Sequence, residues 1–294
     1  MRIAAFTMVY NEPVMLPLWA RHYGREFGAE NLFCLDHGSD DGSTAGVVAN
    51  TIRLPRGEFH EAKRAAAISA FHTSLLSYYD AVVFSDSDEF LVADPARHAG
   101  LAPFIAARCQ RTVTAFGFNV LPVIARDPPM DWHRPVLAQR RFACFDRKYC
   151  KTLISRVPLN WTPGFHNCDV PPNRDRDLYM FHLKFADDAT FRTAQEKRMS
   201  VRWAAESVAK NHGGHWRRDA AVVSRRAFLR ADPAHAPPLD DPRLVEREFA
   251  PTPEKRPPGG LYTIPERFRN ALPGIRPGAD EPGPAPQAGV SPAA

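Results

Sequence analysis

The stretch Ala81–Asp94, AVVFSDSDEFLVAD, constrains this chain more than any other. Ala81–Phe84 is a short apolar run rich in β-branched residues, long enough for a buried strand and too short for a helix. It runs into Ser85–Asp86–Ser87–Asp88–Glu89 and returns to apolar Phe90–Leu91–Val92. Carboxylates crowded at the end of a buried strand raise one another's pKa unless a cation neutralises them. In an extended segment alternate side chains point the same way, so Asp86 and Asp88 are expected to grip one ion from a single side. Oxygen ligands of this kind suit Mg2+ or Mn2+, which complete their shell with phosphate oxygens and water. A solvated acidic turn is the competing reading, and the rest of the chain has to decide between them.

The first half alternates strand and helix signals. Ile3–Val9 reads as a buried strand ending at Tyr10–Asn11–Glu12. Pro13 then opens a helix in which Met15, Leu16, Trp19, Tyr23 and Phe27 recur at helical spacing up to Gly28. Asn31–Leu35 is a second strand before the turn Asp36–Thr44, Thr51–Leu54 a third, and His60–Tyr79 a helix. This order predicts an α/β fold: a Rossmann-like, mostly parallel sheet with helices on both faces and ligands outside the carboxyl ends of the strands. Polar clusters stand at three such ends, Asn11–Glu12, Asp36–Thr44 and Asp86–Glu89, and their convergence predicts a site.

The second half is less regular. Ala99–Arg108 reads as a helix, Thr112–Leu121, Lys151–Val157 and Tyr179–Phe185 as strands, and Pro163–Asp169 as a turn. A helix is expected from Asp188 past Met199 and Trp203. From Pro251 the chain is rich in Pro and Gly, and Gly278–Ala294 is expected to be disordered. A net charge of +5, with Lys and Arg spread among acids, suits an anionic ligand or a membrane surface and argues against nucleic acid. The five cysteines are odd in number and include no CxxC pair, which reads as buried thiols of a reducing compartment. No run reaches the ~18 apolar residues of a membrane span and no signal-like region follows Met1, so a cytoplasmic protein is expected, with peripheral association at the inner face of a membrane left open.

These segments, in this order, resemble a glycosyltransferase of the GT-A fold, similar to the family 2 group and its relatives with a DxDEF signature. The resemblance is carried by the first strand ending in Asn11–Glu12, by LDHGSDDGST (Leu35–Thr44), by FSDSDEFL (Phe84–Leu91) and by FHLKF (Phe181–Phe185). It implies one GT-A domain over residues 1–250, a nucleotide-binding half 1–122 and an acceptor-side half 123–250, followed by a Pro-rich extension 251–294. The implied activity is metal-dependent transfer of a sugar from a nucleotide-sugar donor, a UDP-sugar with inversion, to a glycan or other hydroxyl acceptor. Asp86 and Asp88 would be the DxD aspartates, Asp88 binding Mn2+ or Mg2+ most directly and Asp86 lying nearer the ribose. His182 would add a metal ligand, with Glu89 in support and Lys184 in reach of a phosphate. Asn11, Glu12 and Asp36 would line the nucleoside pocket, and Lys63 and Arg64 would approach the diphosphate.

An inverting enzyme of this fold needs a carboxylate near the acceptor hydroxyl. The common Glu-Asp pair at a helix start is absent, a departure from the family pattern. Asp169 in GFHNCD is the expected base, ahead of Asp187 and Asp188, with His166 nearby as a contact for metal or acceptor. Two other classes compete. A nucleotidyltransferase making sugar nucleotides would open with a Gly-rich loop where this chain has TMVYNEP. A non-catalytic carbohydrate- or partner-binding protein would have no need of Asp86 and Asp88.

Overall fold

β1 (Ile3–Val9) is buried at every position, as a strand covered on both faces must be. It pairs in parallel with β2 (Leu32–Asp36) on one side and β4 (Ala81–Phe84) on the other, and β2 pairs in parallel with β3 (Asn50–Arg53). The spatial order β3-β2-β1-β4 means that the chain walks outward and then crosses back past β1. Right-handed crossovers in opposite directions place α1 (Met15–Phe27) and α2 (Glu61–Leu75) on opposite faces. Side-chain alternation agrees with that placement. Phe6 packs 5.2 Å from Phe71 of α2 and 5.0 Å from Phe84, whereas Ser85, next along the chain, accepts the indole N–H of Trp19 on α1 at 2.9 Å. The reversal between β1 and β4 is where a crevice opens in such sheets.

This computed structural model describes residues 1–227, 235–249 and 260–275. The expected α/β class, with a parallel sheet in the first half, is what the chain adopts; the second half extends the same sheet with antiparallel partners. These are β5 (Glu89–Ala93), β6 (Thr112–Leu121), β7 (Phe142–Phe145), β8 (Thr152–Ser155), β9 (Arg174–His182) and β10 (Leu261–Thr263). β8 joins β4 to β6, and β7 and β10 continue beyond β6, all antiparallel. β9 lies parallel to β6 and antiparallel to β5, which sets Glu89 opposite His182. β9 therefore begins at Arg174 and ends at His182, displaced from the expected Tyr179–Phe185.

α3 (Leu101–Ala106) follows β5, and α4 (Asp188–Met199) follows β9, stopping short of the expected Trp203. β10 comes from the stretch expected to be an extension: its Leu261 pairs with Cys144 of β7. The expected disordered stretch 278–294 lies outside the described residues. No helix of the described residues is long and apolar enough to cross a membrane.

One core side chain makes the fold acid-sensitive. His72 on α2 is fully buried, 5.0 Å from the Trp161 ring, and neither ring nitrogen has a hydrogen-bond partner among the described residues. Burial pushes its pKa down to about 4. The folded state keeps the ring neutral while the unfolded chain protonates it below about pH 6.5, so its contribution is whole above that pH and is lost as pH falls towards 4. His72→Leu is expected to shrink the stability difference between pH 7 and pH 5 by about 2 kcal/mol, read from urea midpoints. Equal losses in parent and variant would remove His72 from this role.

Candidate active site

The polar strand ends meet at a cleft of about 590 Å3 outside the carboxyl ends of β1, β2 and β4. Glu12, His37, Arg64, the residues 86–89, His182 and Lys184 all contribute to its wall. The segment after β4 is a turn, not an extended strand, because the Glu89 N–H donates to the Asp86 carbonyl at 3.0 Å. Asp86 and Asp88 therefore meet different cations. The Arg64 guanidinium donates to Asp86 Oδ1 at 2.5 Å, with the Lys151 ammonium 3.8 Å from the other oxygen. Asp88 Oδ2 lies 3.4 Å from His182 Nε2 and 3.5 Å from Arg198 Nη2. Glu89 Oε1 accepts from Lys151 at 2.5 Å, and its buried Oε2 has no partner among the described residues. The expected extended segment is thus a turn, in which Asp86 meets Arg64 and Lys151 while Asp88 meets His182 and Arg198, so basic side chains do much of the neutralising.

Burial alone would raise all three carboxyls. Arg64 and Lys151 outweigh it at Asp86, and His182 and Arg198 hold Asp88 well below the usual carboxylate range. Glu89 is enclosed beside both aspartates, and burial leaves it raised despite Lys151. Burial also opposes the Lys151 charge, but Glu89 and Asp86 more than restore it.

His182 and Asp88 form the pair best suited to a cation. His182 Nδ1 donates to the Asn119 side-chain oxygen at 2.7 Å, because that oxygen can only accept. With Nδ1 so committed, Nε2 is the ring nitrogen that faces Asp88. Burial lowers the His182 pKa, and Asp88 pulls it the other way. The Asp88 carboxylate and the Nε2 of a neutral His182, its ring held from behind by Asn119, would suit a divalent ion. Among the described residues no three His, Cys, Asp or Glu side chains gather as a ready-made cage.

Two further cations, Arg198 and Lys184, stand near Asp88. Arg198 Nη1 is buried without a hydrogen-bond partner among the described residues, and the Lys184 ammonium lies 5.2 Å from the centre of the Phe185 ring. Burial, reinforced by Arg198, pushes the Lys184 pKa down to about 7. Lys197 at the end of α4 donates to Glu12 at 2.8 Å and to the Asn11 carbonyl, although burial still leaves Glu12 raised. The far wall is aromatic: Phe59 lies 4.8 Å from Trp203 and 5.4 Å from Trp216. The Trp203 indole N–H is also buried without a partner among the described residues.

Several expected site residues lie elsewhere. Asn11, at φ +52°, exchanges two hydrogen bonds with Asp40 and so ties the first two strand ends together, leaving Glu12 to reach the cleft. Asp36 is 1% exposed and faces its own turn, accepting from the Ser39 N–H at 2.7 Å, the Thr44 hydroxyl at 3.1 Å and Arg53 at 2.8 Å. Burial favours its neutral form, but those donors hold it below the usual range. Its neighbour His37 takes the place in the wall. Lys63 is exposed on the outer side of α2, and Arg64 beside it points in.

None of the expected bases reaches the cleft. Asp169 is exposed and caps its own turn, accepting from the Asn160 backbone N–H at 2.9 Å and its amide at 2.7 Å. Asp187 caps α4 through Thr190, and Asp188 pairs with Arg192. Lys151, Lys197, Arg198 and Trp203 were not anticipated. Basic residues in the last turn of a helix are explained equally well by its dipole, so α4 gave no separate signal.

No family model and no curated protein matches the chain. Among solved structures, a mannosyltransferase from Pyrobaculum calidifontis in complex with GDP-Man and Mn2+ is similar at 17% identity and a TM-score of 0.27, over 43% of this chain and 36% of that one. A mycobacterial protein is similar at 18% identity and a TM-score of 0.26, over 42% of each chain. A mannose-1-phosphate geranyltransferase from Thermus thermophilus is similar at 8% identity and a TM-score of 0.28, over 78% of this chain and 68% of that one. The chain thus spans under half the length of the first two.

Proposed function

We propose that this chain is a glycosyltransferase of the GT-A type, moving a hexose or related sugar from a nucleotide-sugar donor, a UDP-sugar, to a hydroxyl of a glycan or similar acceptor with inversion. One observation carries the reading: at the crevice between β1 and β4, the buried Nη1 of Arg198 has no hydrogen-bond partner among the described residues and stands beside the Asp88–His182 pair, in a wall that also holds Lys184. A diphosphate supplies the acceptor oxygen that this nitrogen lacks. Asp88 and His182 would hold Mn2+ or Mg2+, which when bound stabilises charge on the leaving diphosphate. Asp86, fixed by Arg64, faces the ribose in this reading, and Glu12 with Lys197 borders the nucleoside. The nucleoside lies towards Tyr10, whose ring carries the Arg56 guanidinium at 3.6 Å.

The test is thermal shift of the full chain with UDP and with GDP, each with and without Mn2+. Stabilisation is expected only when nucleotide and ion are present together. Arg198→Met is expected to weaken UDP binding about 10- to 100-fold, the loss of one charge-assisted hydrogen bond of about 1.5–3 kcal/mol. Absence of any nucleotide shift in the parent, with or without the ion, rejects the reading.

A further inference from the structure

Each carboxylate in the cleft wall is already matched by a basic side chain. Lys197 lies 2.8 Å from Glu12, Arg64 lies 3.4 Å from Glu61 and 2.5 Å from Asp86, Arg198 lies 3.5 Å from Asp88, and Lys151 lies 2.5 Å from Glu89. Those cations hold Asp86 and Asp88 below the usual carboxylate range, Glu61 and Glu89 are buried away from an incoming hydroxyl, and Glu12 gives an oxygen to Lys197. His166 stands in the same wall under different constraints. Its Nδ1 lies 2.7 Å from the Lys148 carbonyl oxygen, which has no proton to give, so the ring nitrogen donates. That bond fixes the tautomer and leaves Nε2 with a lone pair, an arrangement suited to general base catalysis.

The loop that presents His166 is tightly determined. Gly164 and Phe165 adopt φ of +83° and +58°, a left-handed conformation that costs a non-glycine residue about 1 kcal/mol or more. Phe165 is held there because its ring is buried against Phe84 at 4.8 Å, with the Arg64 guanidinium 4.6 Å from its centre. The Gly164 N–H donates to Glu61 at 3.1 Å, and the Phe165 N–H to Thr162 at 2.9 Å. The reversal turns His166 inward and Asp169 outward.

We propose that His166 Nε2 is the base that accepts the acceptor's hydroxyl proton, an assignment that rests on the transferase reading above. The acceptor oxygen forms a bond to the anomeric carbon while the bond from that carbon to the phosphate oxygen breaks, its electron pair leaving with the nucleoside diphosphate. The hydroxyl proton passes to Nε2, and the imidazolium later releases it to water. Burial, reinforced by Lys151, lowers the ring's pKa, so that it is neutral at pH 7. The charged and titratable groups about it are Asp146, Lys148 and Tyr149 of the segment it bonds, Lys151, Asp86, and Glu61 under its loop.

The test uses the full chain and H166N, which keeps a donor for the Lys148 carbonyl but has no basic nitrogen. UDP release to water is measured from UDP-glucose, UDP-galactose and UDP-N-acetylglucosamine with Mn2+, across pH. Release by H166N is expected to fall about 10²- to 10⁴-fold and to lose the parent's acid limb, while the UDP–Mn2+ thermal shift stays parental. Parental release with the acid limb intact overturns the assignment. A parent with no nucleotide shift rejects the transferase reading instead. For a parent that binds UDP yet releases none, 15N NMR of labelled histidine decides: His166 neutral at pH 7.5 with the proton on Nδ1 supports the assignment, and a proton on Nε2 overturns it.

Discussion

Lys151→Met is expected to cost about 3–5 kcal/mol, lowering the melting temperature by roughly 10 °C. Lys151 and Glu89 are each 2% exposed and meet at 2.5 Å, with Asp86 3.8 Å from the same ammonium. The pair is weak evidence for stability in itself, because desolvating two ions offsets most of their attraction. Breaking it is another matter. Glu89 Oε2 already lacks a partner among the described residues, and removing the ammonium strands Oε1 as well.

The deficit should depend on pH with a definite sign. Burial raises the Glu89 carboxyl in the fold even with Lys151 present, and without Lys151 it rises further. An acid raised in the folded state destabilises above its unfolded pKa, so the K151M deficit is largest near pH 8 and shrinks towards pH 5. The double variant K151M/E89M, with both charges gone, should regain most of the loss. Guanidinium unfolding at both pH values measures this; a single-variant loss under about 1 kcal/mol, or no recovery in the double, would show that the pair does not hold this part of the sheet.

Much of the scaffold was legible because apolar period and strand length agree with burial. Ile3–Val9, Ala81–Phe84 and Thr112–Leu121 are strands with the expected bounds, buried throughout. β7 and β10, with four and three residues, are too short for a period to show. β9 opens on Arg174–Asp175–Arg176–Asp177, a charged run whose strand character comes from pairing with β5 and β6.

At the site, the acidic cluster and His182 were visible, but their partners were not. Arg198 and Asp88 are 110 positions apart, and nothing local in either segment records the contact. The other differences in placement are near in sequence and decided by direction. Asp36 and His37 lie on opposite sides of one turn, and Lys63 and Arg64 sit a helical step apart. Asp169 and His166 are separated by the exit from a left-handed pair. Composition finds the neighbourhood; backbone geometry chooses the residue.

Gly117 shows how closely the sheet and the site are joined, and Gly117→Ala is expected to cost about 3 kcal/mol. It sits within β6, where an added Cβ would lie 2.2 Å from the Tyr149 carbonyl carbon and 2.3 Å from its oxygen. Those are backbone atoms, so no side-chain rotation relieves the overlap, and the 147–151 segment has to move. That segment carries Tyr149, stacked 4.3 Å from the His182 ring, the Lys148 carbonyl that orients His166, and Lys151. Two residues along β6, Asn119 fixes the other side of His182. A methyl group at position 117 therefore pushes apart the two supports of one ring, and the UDP–Mn2+ thermal shift should fall along with the melting temperature. Gly57→Ala is the control, because its added Cβ meets nothing within 4 Å, and it should change stability by less than about 0.5 kcal/mol. If G117A and G57A melt within a degree of each other and both keep the nucleotide shift, β6 and the Tyr149 turn are not in the close contact on which this coupling depends.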